Sequence, residues 1–258
     1  MMPLSPDSQL LKDLLHLLLS DIRSPITDLL TNLPPMQAQA DAEAYEPLMA
    51  VSEFTLRYSE RLLSVIDMLL DVMREGVVKL ITDNLALQVV AEQALQAVSE
   101  RAQAQGVTIY NHITSDLPKA VLDERLFTQA FINLIELMLM QNPNGGDIHL
   151  TADYHDTPSH FDLKLYDQRT VIDFATFSAP FQAPLSTLLS RRDSLRIILS
   201  RVVMRAHGAK MHVLPLGEGK VVFEVLLPLV SADPSVKRFA AARLFSDDPL
   251  DDFGVTHD

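Results

Sequence analysis

Leu19-Ser20-Asp21-Ile22-Arg23-Ser24-Pro25-Ile26 lies in the middle of a leucine-rich run, and the run on either side of it has the period of a helix. From Leu11 to about Leu33, Leu11, Leu15, Leu18, Ile22, Pro25, Leu29 and Leu33 recur at spacings of three and four, which places them on one helix face. Leu10, Leu14, Leu17, Leu19, Ile26 and Leu30 widen that stripe, so the helix must bury more than one side. Pro34-Pro35 ends it, and a polar, Ala-rich connection leads to a second helix from about Pro47 to Arg74. There Leu48, Val51, Thr55, Tyr58, Leu62, Val65, Leu69 and Val72 keep an unbroken heptad. Two such helices form an antiparallel hairpin, and a lone hairpin cannot cover stripes this wide. Two hairpins around a twofold axis can, so the pattern predicts a homodimer with a four-helix bundle at its centre.

Past Gly76 the pattern changes to mixed helix and strand. Ala86 to Gln105 is predicted helical, with Gly106 as its C-terminal stop. Val107, Ile109, Asn111 and Ile113 alternate with their neighbours as a half-buried strand. Asp123 is the predicted N-cap of an apolar helix reaching Met140, and Asn144-Gly145-Gly146 supplies a turn. Strands follow at Asp147 to Tyr154 and His160 to Asp167, then a helix over Asp193 to His207. Strands at Lys210 to Leu214 and Lys220 to Leu227 flank a turn at Leu216-Gly217-Glu218-Gly219. The fold class is α+β, with helices on one sheet face. The expected domains are a dimerisation hairpin over residues 1–80, a mixed sheet-and-helix unit over 81–230 and a mobile acidic tail over 231–258.

The opening segment resembles the H-box of histidine kinases, whose usual form is Ser-His-Glu-Leu-Arg-Thr-Pro-Leu. Asp21, Arg23 and Pro25 match, but the phosphoacceptor histidine falls on Ser20. Leu117-Pro118 with Asp123, Arg125 and Leu126 is similar to the approach to the family's N-box, and Asn133-Leu134-Ile135 to its opening. Ala206-His207-Gly208-Ala209 resembles the end of the helix after the G2 box. The resemblance implies a hairpin dimerisation domain followed by an α/β-sandwich ATPase-like domain.

It also supplies a chemical test. Autophosphorylation needs an imidazole nucleophile with a neighbouring carboxylate tuning it; Ser20 is an unactivated hydroxyl, and Asp21 has no imidazole to serve. In the N-box pattern a second asparagine would hold Mg²⁺, and here that position is Leu137, which offers no oxygen. The basic residue expected to face phosphates is Met140. Of the G1 box only Asp167 survives, the residue that by resemblance would accept from the adenine amino group; Arg169 and Val171 stand where glycines should. Ser194 and Arg196 replace the G2 glycines. Phosphate loops need glycine because the backbone must reach φ > 0 and approach the anion closely. The chain has eight glycines, none between Gly146 and Gly208, so neither ATP nor Mg²⁺ is an expected cofactor and Asn133 and Asp167 are residual nucleotide-site positions.

The expected function is that of a catalytically inactive adaptor or regulator in two-component-type signalling, binding a receiver domain or another kinase. By resemblance, receivers dock on the hairpin below the phosphoacceptor, near Ser24, Thr27 and Asp28. His16, one turn before Ser20 on the same face, is the alternative phosphoacceptor of a phosphotransfer protein or weak kinase; a structural assembly protein reusing the fold is a further alternative. Arg191, Arg192, Arg196, Arg201 and Arg205 form a basic cluster, either a solvated helix face or a contact for an acidic partner or for Asp247 to Asp252. His149, His155 and His160 are expected to be surface histidines, with no spacing that puts three ligands on one face, so no metal is expected. A net charge of −13 disfavours nucleic acid and anionic membranes. Lys12 and Asp13 interrupt the longest apolar run, the first ten residues lack a basic n-region, and a cytoplasmic location is expected. The absence of cysteine excludes disulfides and thiolate sites.

Overall fold

Val78 and Leu80 alternate with the polar Lys79 and the exposed Ile81, and both are fully buried, so the folded layer already begins in the strand that carries them. The structure is a computed structural model and describes residues 77–142, 144–168, 171, 173–182, 194–217, 220–229 and 236–240. The expected hairpin, the dimer built on it, and His16, Ser20, Asp21, Arg23, Ser24, Pro25, Thr27, Asp28, Arg191 and Arg192 lie outside the described residues, as does Arg169.

In chain order the elements are β1 (Val77–Ile81), β2 (Asp83–Leu85), α1 (Leu87–Ala104), β3 (Val107–Asn111), β4 (Ala120–Leu122) and α2 (Glu124–Gln141). They continue as β5 (Gly146–Asp156), β6 (Ser159–Asp167), α3 (Phe174–Gln182), α4 (Ser194–Ala206), β7 (Lys210–Gly217), β8 (Lys220–Pro228) and β9 (Val236–Ala240). Five strands make one sheet in the order β3-β5-β6-β8-β7, parallel between β3 and β5 and antiparallel elsewhere. Two small antiparallel pairs, β1 with β9 and β2 with β4, complete the α+β architecture.

The period-2 alternation of the long strands sorts their side chains onto two faces. Ile148 and Leu150 on β5, Phe161, Leu163 and Leu165 on β6, and Val221, Phe223, Val225 and Leu227 on β8 join the helices in one buried cluster. α1 packs on α2 and α2 on α4, giving a helical layer over that face. The cluster includes Val98 of α1, Phe127, Leu134 and Met138 of α2, and Val202 and Val203 of α4. Burying side chains of this size is worth roughly 1.5–3 kcal/mol each. The other sheet face carries His149, Thr151, Lys164, Tyr166 and Glu224, none of them fully buried.

Two expectations about boundaries change. The sheet-and-helix unit starts at β1, not at residue 81, because Val78 and Leu80 belong to its core. Residues 231–258 are not uniformly a tail, since Val236–Ala240 forms a strand that supplies backbone partners to β1 in full register from Val77↔Ala240 to Ile81↔Val236.

Candidate functional site

α2 begins as the sequence requires. The Asp123 side chain accepts from the Leu126 N–H at 3.0 Å, capping one of the amides that the first helical turn leaves unpaired. The same carboxylate accepts from the Ile81 N–H at 2.8 Å, fastening the end of β1. The Asp123 N–H in turn donates to His207 Nε2 at 3.0 Å, while His207 Nδ1 lies 2.8 Å from the Val203 carbonyl. A carbonyl can only accept, so the proton sits on Nδ1 and Nε2 carries the lone pair. Phe127 meets the same imidazole edge-on, with centroids 5.1 Å apart. Asp123 and His207, read separately in the sequence as a cap and a helix end, form one junction between β1, α2 and the residue after α4.

Nearly three turns further along α2 are the residues of the asparagine box. Asn133 is fully buried, and Gln129 Nε2 donates to its Oδ1 at 3.3 Å from the turn before. Leu137, at the expected Mg²⁺ position, is 3% exposed and packed in the core, while Met140 is 39% exposed. An aliphatic side chain fixed in the core can contribute nothing to a hard cation. Glu136 lies between these positions and accepts from Arg196 Nε of α4 at 2.7 Å; Arg101 of α1 approaches its other oxygen at 3.7 Å. Arg196 therefore departs from the expected partner-facing cluster. Its guanidinium is half-buried and spans from the helix after the expected phosphate loop to the middle of α2. Ser200 closes the arrangement by donating to the Arg196 carbonyl at 2.8 Å and lying 3.4 Å from the Ala130 carbonyl.

Asp167 ends β6, paired in register with Ile148, and is 1% exposed. It is not a simple solvated strand-end carboxylate. A Cβ at Gly146 would lie 2.6 Å from Asp167 Oδ2 and 2.7 Å from Asn142 Oδ1, so these polar groups fill the space directly over the glycine. Asn142 is buried and donates to the Met138 carbonyl at 2.8 Å, anchoring this polar group to the end of α2. Sequence reasoning assigned Gly146 to a turn and gave Asn142 no role; the β5–β6 pairing brings Gly146 to Asp167, and the end of α2 brings Asn142 to the same place. Val171, which stands at an expected glycine position of that loop, is 72% exposed.

The histidines also require a correction. His149 and His155 lie six residues apart on the same side of β5, and His160 pairs with His155 across β6, so all three share the sheet face away from the helices. They do not converge: His155 stacks on His160 at 4.9 Å, while His149 stacks between Tyr110 and Tyr166 at 4.9 and 5.3 Å. His112 Nε2 lies 3.0 Å from His149 Nδ1. Among the described residues no group of three or more histidine or acidic side chains is placed to hold a metal. No helix among them is long and apolar enough to cross a membrane.

No protein-family profile matches the chain. It is 27% identical over 149 residues to the adaptive-response sensory kinase SasA of Synechococcus sp. (strain CC9311), an alignment covering 56% of this chain and 39% of the relative. It is also 27% identical over 195 residues to the non-motile and phage-resistance protein of Caulobacter vibrioides, covering 71% of this chain and 23% of that one. The chain thus spans well under half the length of these curated relatives. Among solved structures it resembles the Acinetobacter baumannii histidine kinase AdeS, with a TM-score of 0.52 at 18% identity over 81% of this chain and 96% of that one. Full-length ShkA, solved with AMPPNP, gives a TM-score of 0.50 at 20% identity over 75% of this chain and 40% of that one.

Proposed function

We propose that this chain, built on a histidine kinase core, keeps that fold for binding a signalling partner and does not transfer phosphate. The observation that carries the reading is the Arg196–Glu136 ion pair at 2.7 Å. By resemblance, position 196 is a glycine of the loop-to-helix junction beside the phosphates, and Glu136 stands between the two asparagines of a working magnesium site. A long guanidinium joined to a carboxylate there occupies the interval with matched charge where an active relative needs open backbone amides and a metal. Three further features support the same reading: the buried Leu137, the absence of glycine between Gly146 and Gly208, and Ser20 in place of the phosphoacceptor.

The partner is a receiver domain or a second kinase, met on the hairpin around Ser24, Thr27 and Asp28, with Arg191 and Arg192 available to an acidic surface. The hairpin makes the protein a homodimer. The decisive experiment is a thermal-shift titration of the intact chain with ATP and Mg²⁺. A nucleotide that binds only the folded state adds about 2.7 kcal/mol of stability at 100 times its dissociation constant. An unchanged melting temperature up to millimolar nucleotide is expected, and a saturable rise would overturn the reading.

A further inference from the structure

Of the six asparagines in the chain, Asn144 alone is followed by glycine. Asn32, Asn84, Asn111 and Asn133 precede leucine or histidine, and Asn142 precedes a proline, which has no N–H. Asn144 and Gly145 form the turn from α2 into β5. Asn144 is exposed, and among the described residues its side-chain amide has no hydrogen-bond partner. Gly145 follows at φ +93°, in the left-handed region, with no Cβ to shield its nitrogen. Other asparagines are more restrained. Asn111 Oδ1 accepts from the Ile113 N–H at 3.1 Å, Asn133 is fully buried, and Asn142 is buried and donates to the Met138 carbonyl.

An exposed, unbonded amide directly before a glycine has a nucleophile in its own backbone. The Gly145 nitrogen loses its proton and attacks Asn144 Cγ; the new C–N bond closes a cyclic imide, and the amide nitrogen leaves as ammonia. Water then opens the imide at either carbonyl. Cleavage between the Gly145 nitrogen and Cγ gives aspartate. Cleavage between that nitrogen and the Asn144 backbone carbonyl carbon gives isoaspartate, in which the chain runs through the former side chain. The sequence consumes water and releases ammonia, and needs no other reactant.

This turn has little room for the second product. A Cβ at Gly145 would stand 3.0 Å from the Gly106 carbonyl oxygen, so the turn lies close against the residue that stops α1. Gly146 follows at once, paired with Val107 of β3 and covered by Asp167 and Asn142. Isoaspartate would insert an extra methylene into the backbone at the point where β5 takes its register. It would also place a carboxylate just past the C-terminal end of α2, where the helix dipole is already negative.

We propose that Asn144 is a site of spontaneous deamidation, and that its isoaspartyl form loosens the junction of α2 with β5 at Gly146. The chemistry is confined to the turn, so it stands or falls independently of whether the chain transfers phosphate.

The test incubates the full chain at pH 8 beside a synthetic peptide of residues 139–149. Mass spectrometry of digests follows each asparagine, and an isoaspartate methyltransferase with a labelled methyl donor scores the rearranged product. Asn144 in the folded chain should convert within tenfold of the peptide's rate, and at least tenfold faster than any other asparagine. Slowing by the fold beyond tenfold, or equal conversion elsewhere, would overturn the assignment. The melting temperature of the incubated chain should fall as the isoaspartyl fraction grows, while Asn144→Gln holds its own over the same time. Asn144→Asp carries the charge without rerouting the chain, and should melt above the isoaspartyl form. Conversion with no change in melting temperature, or an equal fall in Asn144→Gln, would overturn the effect on the junction.

Discussion

Single side chains in this molecule hold several elements at once, and their substitution should show it. Asp123 caps α2 and also satisfies the Ile81 amide. Asp123→Ala should cost more than the ~1 kcal/mol of a lost cap, because a part-buried N–H is left unpaired at a further cost of about 1–3 kcal/mol. Urea unfolding would measure it, and a loss near 1 kcal/mol would mean that Ile81 finds another acceptor. Gly146→Ala is the sharper case, since its methyl would stand 2.6 Å from Asp167 Oδ2. A loss of about 1–3 kcal/mol is expected, as for other overpacked positions. Asp167→Ala in the same background should recover part of it. The cap at Asp123 was legible in the sequence because its partner is three residues away. The bonds from Asp123 to Ile81 and His207, and the crowding of Asp167 over Gly146, were not, because they depend on register and packing between distant segments.

At the scale of elements, α1, α2, α4 and the strands β5 to β8 could be read locally. Each has a periodic apolar face and a boundary signal, such as Gly106 after α1 or Asp123 before α2. β2 and β4, three residues each, are too short to carry a period, and β9 is a strand only because β1 lies beside it. The arginines of α4 read as one cluster by spacing, yet packing divides them. Arg196 turns to Glu136, whereas Arg201 and Arg205 line a cavity beside β7. A double-mutant cycle with Arg196→Met and Glu136→Gln should give a favourable coupling of about 1–3 kcal/mol, as for hydrogen bonds to charged groups. A coupling near zero would show that the pair is only a solvated contact.

On the open sheet face, the hydrogen bond to Asp162 holds the Lys164 ammonium above the ordinary lysine pKa, with burial acting in the opposite direction. A raised folded-state value means that the contribution is fully present below the ordinary lysine pKa and is lost as pH rises through the folded one. Lys164 is largely solvent-screened, so Lys164→Gln should cost under ~1 kcal/mol at pH 8 and still less at pH 11. Unfolding curves at the two pH values would check both the size and the sign.

For the whole molecule, the sequence departs from the histidine-kinase pattern at Ser20, Leu137, Met140, Arg169, Ser194 and Arg196, and in the fold Leu137 is buried and Arg196 is joined to Glu136. The hairpin and its dimer rest on heptads alone, and they predict twice the monomer mass by light scattering at low micromolar concentration; a monomeric mass would remove the bundle from the proposed function. The pairing of β1 with β9 has a consequence in time as well as in space. β1 is the first described strand to leave the ribosome and β9 the last, and every other described element is made between them. Contacts between segments so far apart in sequence carry a large loop-closure cost and form late. Until β9 emerges, β1 lacks the strand it pairs with, and any core position that Val78 and Leu80 take up early is held without that ladder, with the Ile81 N–H bond to Asp123 at its end. A chain stopped short of residue 236 should therefore expose the edge of β1 to other nascent chains, and hydrogen exchange in the finished protein should find this strand pair among the first to open.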